Sequence, residues 1–234
     1  MREPPSIVVT GRGEASAAPD RAVVRLGATA QAEQAQTAQD QVNAIVARAI
    51  DALKRAGIAE RDIQTRDLSL HPVYSEAGHI PLDQRGRGPR EPRITGYRAS
   101  NTVEVRVNEV GKVGAVIDAG VTAGANELQG VTFELKEDAT ARTEALKRAI
   151  EKARADAQTI ADALGVTLGP IDEALAGGRN EIFPQQRFAG MAMEAMPASG
   201  TPVQPGEIDV GATVTLRYRI AGGDRSPATQ PARP

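Results

Sequence analysis

The sequence predicts an α+β fold of mainly antiparallel sheets with long strands, and with helices packed on one side of the sheets. Two patterns carry this prediction. Apolar and polar residues alternate in several segments, and in others apolar residues recur every three to four positions. Strands with one polar face are typical of antiparallel sheets whose other face is covered by helices.

The strands are predicted from the alternation. Every second residue of 208–220 is apolar or aromatic, and the residues between them are polar or glycine. The segment 94–107 repeats this pattern, and shorter versions run through 22–30 and 131–135. A period of two predicts half-buried strands. The apolar run 7–9 predicts one more strand near the start of the chain.

Three helices are predicted from apolar residues at spacings of three and four. The first carries the apolar positions of 42–53 and stops at Gly57, and the second is short, around 110–121. The third runs from about 138 to 164, ends at Gly165, and is expected to span the sheet. Its predicted apolar stripe consists of Leu146, Ala149, Ile150, Ala153, Ala157, Ile160, Ala161 and Leu164.

The glycines Gly11 and Gly13 suggest a phosphate-binding loop, which the surrounding residues exclude. A dinucleotide site needs its glycines between a strand and a helix, because the helix N-terminus meets the pyrophosphate. Here the chain passes through Pro19 and Asp20 into another strand, and Ser16 stands where a third glycine belongs. We interpret the two glycines as permitting a bulge or close backbone approach, after which the chain doubles back as a hairpin.

The composition narrows the classes of function. The chain has no cysteine, which excludes disulfides, thiolate nucleophiles and Cys-ligated metals. Its formal net charge of -2 gives no reason to expect nucleic acid as a partner. Its histidines, His71 and His79, are interpreted as surface or loop residues. No apolar run approaches the roughly 18 residues of a membrane helix. We therefore predict no cofactor, no metal and no catalytic residues.

Two long stretches, 75–93 and 178–206, lack periodicity and are predicted to be loops. The first holds Arg85, Arg87, Arg90 and Arg93, which could meet a phosphate-rich surface but are interpreted as a solvated loop, because no aromatic residues are interleaved. We expect residues 1–220 to form one domain, or two intertwined subdomains, and 221–234 to form a disordered tail.

The second loop contains the predicted interaction residues, which are apolar and adaptable: Phe183, Phe188, Met191, Met193 and Met196. We interpret them as a flexible patch that docks on a neighbouring subunit. The alternative is a small-ligand or copper site, because the thioethers of Met191, Met193 and Met196 are soft ligands that select Cu(I).

Six motifs in order carry a resemblance to a known family. They include "IVVTGRGEASAAPDRAVVRLG", "GIAERDIQTRDLSLHPVY", "ITGYRASNTVEVRV", "VGAVIDAGVTAGANELQGVTFEL" and "PVQPGEIDVGATVTLRY". This order resembles the SIMPL-domain family, and the likeness extends from about 7 to 220. The resemblance implies an α+β domain of the bacterial periplasm or outer membrane that self-assembles and is associated with oxidative and envelope stress. The family offers no agreed catalytic residues.

We therefore expect a non-enzymatic protein of the cell envelope that acts as a homo-oligomeric scaffold or interaction module, in contact with the envelope or a membrane surface. A signal peptide is expected to have been removed from this chain. Besides the copper-binding alternative, an enzyme acting through Asp or Glu residues stays open, because sequence alone does not exclude it.

Overall fold

The strands and helices of the chain confirm the predicted α+β class. The computed structural model describes residues 4–75, 92–177, 182–183 and 200–221. The elements in these ranges are β1 (Ser6–Ala17), β2 (Arg21–Ala32), α1 (Ala35–Arg55), β3 (Ile63–Tyr74), β4 (Ile94–Val107), α2 (Val113–Thr122), β5 (Glu127–Glu134), α3 (Ala139–Leu164), β6 (Thr167–Ala176), β7 (Ile182–Phe183) and β8 (Ile208–Ala221).

The strands form two antiparallel sheets. In the first sheet the strand order is β1-β8-β6, and β7 also pairs with β8. In the second sheet the order is β3-β4-β2-β5. The chain divides into two compact units, one around each sheet. The first unit takes the described residues of Met1–Ala18, Glu137–Ala189 and Gly206–Pro234, and the second takes those of Pro19–Lys136 and Gly190–Pro205.

In the first unit, α3 packs on one face of the sheet. β1 pairs with β8 in continuous register from Ser6 opposite Arg219 to Ala17 opposite Ile208. Alternate side chains of β1 are buried on the face that α3 covers, beginning with Ile7 and Val9. The buried residues of α3 are Ala145, Ala149, Ala153, Ala157 and Ala161.

The predicted stripe of α3 is right at its alanines and at Leu146, which is partly buried against the same core, and wrong at its three other large residues. Ile150, Ile160 and Leu164 are exposed, and Ala145 belongs to the buried row instead. Residues four apart advance about 40° around a helix of 3.6 residues per turn, so a row of them winds obliquely along the surface. The sheet follows that row, so Ile150, Ile160 and Leu164 fall outside the contact, while Leu146 lies at its margin and is partly buried.

Gly11 and Gly13 lie where the backbones of β1 and α3 meet. A Cβ atom at Gly11 would overlap the carbonyl oxygen of Ala149, and one at Gly13 would overlap that of Ala145. This confirms the predicted close backbone approach, and the continuous register shows that there is no bulge. The predicted hairpin is wrong, because β1 pairs with β8 and β2 pairs with β4 and β5.

In the second unit, α1 packs against β4 and β2, and α2 packs against α1. The core between them is aliphatic and includes Val24, Val42, Leu53, Val103 and Val105. α1 ends before Gly57, as predicted, where a positive φ of 92° suits glycine. Because Val42 and Leu53 of α1 lie in this core, the apolar side of α1 faces β2 and β4, the two central strands of the sheet.

Residues of the second predicted loop close the core of the second unit. Thr201 donates its backbone N–H and its hydroxyl to the Asp118 carboxylate on α2, at 3.1 and 2.6 Å. Val203 packs against the same core. Of the predicted loops, 76–91, 178–181 and 184–199 lie outside the described residues, as does the tail from 222 onward.

Candidate interaction surface

The interaction residues predicted from sequence lie almost entirely outside the described part of the chain. This applies to Phe188 and to all three methionines of the alternative copper site, Met191, Met193 and Met196. Phe183 belongs to β7, whose backbone pairs with β8 opposite Asp209. The methionine-containing interface and the copper site therefore stay predictions.

The remaining sequence candidates form no metal-binding cluster among the residues placed by the structure. His71 lies on β3 opposite Arg98, and its side chain is exposed, while His79 lies outside the described ranges. Within these ranges no three His, Cys, Asp or Glu side chains come together in a way that could hold a metal ion. The described helices include none with the length and apolar character needed to cross a bilayer.

An apolar surface that sequence reasoning missed lies at the β3 edge of the second sheet. Leu68 and Leu70 are 57% and 43% exposed, and Tyr74 and Ile94 are 54% and 51% exposed. Tyr74 pairs across the strands with Ile94. We call these four residues the β3 patch. Large apolar side chains that are exposed together mark interaction sites more often than single exposed ones do.

The strand register explains why the β3 patch is exposed. Leu68 and Leu70 lie opposite Asn101 and Ala99 of β4, on the face of the sheet that carries α1. α1 lies over β4 and β2, so the side chains of the outermost strand extend past the helix. The patch is thus the uncovered margin of the same apolar face that forms the core.

The other face of β3 is polar and paired internally. Ser69 and Ser100 share a hydrogen bond of 2.8 Å between their hydroxyls, opposite each other on β3 and β4. Further along this face, Arg25 bonds to Glu104 at 3.1 Å. Arg21 likewise bonds to Glu134 at 2.8 Å. Arg21 and Arg25 are thus each paired with an acidic side chain of a neighbouring strand.

The outer face of the first sheet, opposite α3, is also polar and internally paired. Arg217 bonds to Glu173 at 3.2 Å, and Arg219 bonds to Asp172. Thr10 of β1 shares a hydrogen bond of 3.0 Å with Thr215 of β8. These exposed ion pairs contribute little stability, on the order of 0–1 kcal/mol each. They do keep both signs of charge interspersed.

A signal for the β3 patch is present in the sequence, although it is incomplete. The stretch "LSLHPVY" places apolar residues at alternate positions from Leu68 to Tyr74. That alternation predicts a strand with one apolar face. It does not show that the strand is an edge strand, which depends on pairing with the distant segment of β4.

Comparison with known proteins places the chain in a family. The family model described as SIMPL, protein of unknown function (DUF541), matches residues 7–218. The "26 kDa periplasmic immunogenic protein" of Brucella melitensis is 35% identical over 223 residues, which are 93% of this chain and 86% of that protein. "Uncharacterized protein YggE" of Escherichia coli K12 is 28% identical over 229 residues, covering 97% of this chain and 88% of the relative.

A further relative is similar over a shorter region. "Uncharacterized protein YggE" of Edwardsiella ictaluri is 32% identical over 169 residues, which are 72% of this chain and 66% of that protein. The family match begins in β1 and ends near the end of β8. It therefore includes both sheets and the helices α1, α2 and α3. The chain therefore belongs to the SIMPL family.

Proposed function

We propose that this SIMPL-family protein is a non-enzymatic protein of the bacterial cell envelope that assembles with copies of itself and acts as a scaffold or interaction module. The observation that carries the proposal is the β3 patch, in which three large apolar side chains of the edge strand β3, and one of β4 opposite Tyr74, are exposed. Burial of apolar surface is worth about 25 cal/mol per Å², so pairing two such patches favours association.

The edge of β3 favours contact through side chains rather than through the backbone. Its register with β4 is broken at Arg66, and the strand contains Pro72, which has no N–H to donate. Bulges and prolines on an edge hinder the addition of another strand. The partner copy therefore packs its own apolar residues against the face formed by Leu68, Leu70 and Tyr74.

The cellular place in this proposal rests on relatives. The Brucella melitensis relative is named a periplasmic protein, and the match covers 93% of this chain. Association with the outer membrane and a role in oxidative and envelope stress rest on the family resemblance alone. Fractionation of cells that express the full precursor tests the location: we expect the protein with periplasmic markers, and recovery with cytoplasmic markers would contradict it.

Self-assembly is tested by the native mass of the protein in solution. We expect light scattering to show an assembly for the natural chain and a smaller species for the double variant Leu68→Gln/Leu70→Gln. Leu128→Gln is the matched control, since Leu128 is an exposed leucine on the opposite edge strand of the same sheet. Circular dichroism establishes that each variant is folded.

The same measurement separates the two candidate interfaces. A natural chain that is monomeric would overturn the assembly proposal. If the assembly persists in the double variant but falls apart on deletion of residues 184–199, which leaves Thr201 and Val203 in place, the contact lies in the predicted methionine-containing stretch and not in the β3 patch.

A further inference from the structure

Besides the two-residue β7, four described strands lie at the edges of the sheets, and three of them carry features that hinder pairing with another strand. β3 has the register break at Arg66 and contains Pro72. β5 has a register break opposite Arg25 and Leu26. β6 has irregular pairing between Leu168 and Ile171, and Pro170 lies within that stretch. These three edges are protected in the ways that natural sheets use.

β1 is different from the other edge strands. It runs for 12 residues, Ser6–Ala17, without a proline and without a register shift against β8. Among the described strands, none pairs with its outer edge. A long and regular edge of this kind is a template for one more strand.

The hydrogen bonds of β1 show which backbone groups point outward. The carbonyl oxygen of Pro5 accepts the N–H of Ile220, so odd-numbered residues face β8 and even-numbered residues face away. In agreement, the carbonyl oxygen of Glu14 points outward, where it accepts a hydrogen bond of 2.8 Å from Arg148 Nη1. The N–H and C=O groups of Val8, Thr10 and Arg12 therefore face the open edge.

The side chains on this edge are self-complementary in charge. Arg12 and Glu14 are exposed, and neither side chain has a hydrogen-bond or ion-pair partner in the described part of the chain. If two β1 strands pair antiparallel about a two-fold axis at Gly13, Arg12 of each copy lies opposite Glu14 of the other. Opposite charges at directly paired positions stabilise an antiparallel pair, and like charges destabilise it.

We infer that the outer edge of β1 binds the same edge of a second copy, as a two-fold antiparallel pair centred on Gly13 that joins the two first sheets. This contact deepens the proposed self-assembly but does not involve the β3 patch. In the pair, the N–H of Arg12 in the second copy replaces Arg148 on the Glu14 carbonyl. Arg148 thus competes with pairing and limits it.

Charge exchange between two variants tests this contact. The two variants, Arg12→Glu and Glu14→Arg, are made in the Leu68→Gln/Leu70→Gln background, in which the β3 patch no longer contributes to assembly. We expect the background protein to form dimers, and Arg12→Glu or Glu14→Arg alone to weaken dimerisation by about tenfold or more, because each sets like charges opposite each other. Mixing the two variants restores both opposite-charge pairs, so native mass spectrometry is expected to show the heterodimer as the main dimer.

Two further measurements make the test specific. Arg148→Ala is expected to strengthen dimerisation about threefold or more by freeing the Glu14 carbonyl. Hydrogen exchange in the dimer is expected to be slow at the amides of Thr10, Arg12 and Glu14. Circular dichroism again verifies folding of each variant.

The outcomes that overturn the inference differ from those that overturn the proposed function. A monomeric background protein, equal dimerisation of the single variants, or a mixture without heterodimers each contradicts pairing at β1, while the assembly of the natural chain is judged separately. Fast exchange of the outward β1 amides in the pure dimer would show that the copies meet elsewhere and would also overturn the inference.

Discussion

At the scale of single residues, Tyr218 places a hydroxyl group in the core of the first unit. The residue is 4% exposed, and its hydroxyl has no hydrogen-bond partner in the part of the chain that the structure describes. A buried polar group without a partner costs about 1–3 kcal/mol. We therefore expect Tyr218→Phe to raise the free energy of unfolding by about 1 kcal/mol, measured by urea denaturation followed by circular dichroism.

The control for this substitution is Tyr74→Phe, which removes a hydroxyl from an exposed tyrosine. We expect its effect on the free energy of unfolding to stay within about 0.5 kcal/mol. A clear loss of stability for Tyr218→Phe would contradict the prediction, because it would mean that the buried hydroxyl makes a favourable interaction.

The glycines of β1 give the second prediction at this scale. Gly11→Ala and Gly13→Ala are each expected to lower the free energy of unfolding by about 3 kcal/mol. The reason is that the added methyl groups would overlap backbone atoms of α3, which are not free to move aside as a flexible side chain is. Thermal or chemical denaturation of the purified variants measures the effect.

Gly111→Ala is the matched control for the two β1 glycines. A Cβ at Gly111 would meet no atom within 4 Å, and its φ is not in the left-handed region. We expect this substitution to be neutral or to stabilise the protein by up to about 1 kcal/mol, because alanine restricts the unfolded chain. Equal losses at Gly11 and Gly111 would argue against the close approach of β1 and α3.

At the scale of elements, α3 shows how the line of contact differs from the apolar stripe. We expect Ala157→Leu to lower the free energy of unfolding by about 2–3 kcal/mol, because the larger side chain has no room against the sheet. Leu164→Gln is expected to change it by less than about 0.5 kcal/mol, because Leu164 is exposed. Urea denaturation of both variants compares these effects. A large loss for Leu164→Gln would instead support the predicted stripe, which includes Leu164.

The extent of most elements could be predicted from the sequence because the patterns that define them are local. The helix predicted at about 138–164 is α3, Ala139–Leu164, and the alternation at 94–107 is β4, Ile94–Val107. Which residues of α3 touch the sheet was less predictable. That choice depends on the angle between the helix and the strands, which the sequence of α3 alone does not encode.

At the scale of the whole molecule, the partners of the strands were the least predictable feature. β1 and β8 lie at opposite ends of the chain, yet they pair with each other along their whole length. The short Pro19–Asp20 link looks like a hairpin turn in the sequence, but the strands on its two sides belong to different sheets. The exposure of the β3 patch follows from the pairing of β3 with β4 at the edge of the second sheet, which the local sequence of β3 does not show.

The separate cores lead to a prediction about the molecule as a whole. The core of the first unit contains Val9, Ala153 and Leu216, and that of the second contains Val42 and Val105. Deletion of residues 1–17 removes β1 and uncovers the alanine row of α3. We expect hydrogen exchange to become fast in α3, β6 and β8, and to stay slow in α1, β2 and β4, because the second core keeps all its residues.

The reciprocal variant is Leu53→Ala, which removes a fully buried side chain from the second core. This substitution is expected to lower the free energy of unfolding of the second unit by about 2–5 kcal/mol. Hydrogen exchange is expected to become faster in α1 and β4 and to stay slow in α3. If the deletion and Leu53→Ala each raised exchange equally in both units, the two cores would unfold as one cooperative structure. If each change instead speeds hydrogen exchange only in its own unit, a disturbance at β1 stays within the first unit. This includes a disturbance caused by pairing with a second copy.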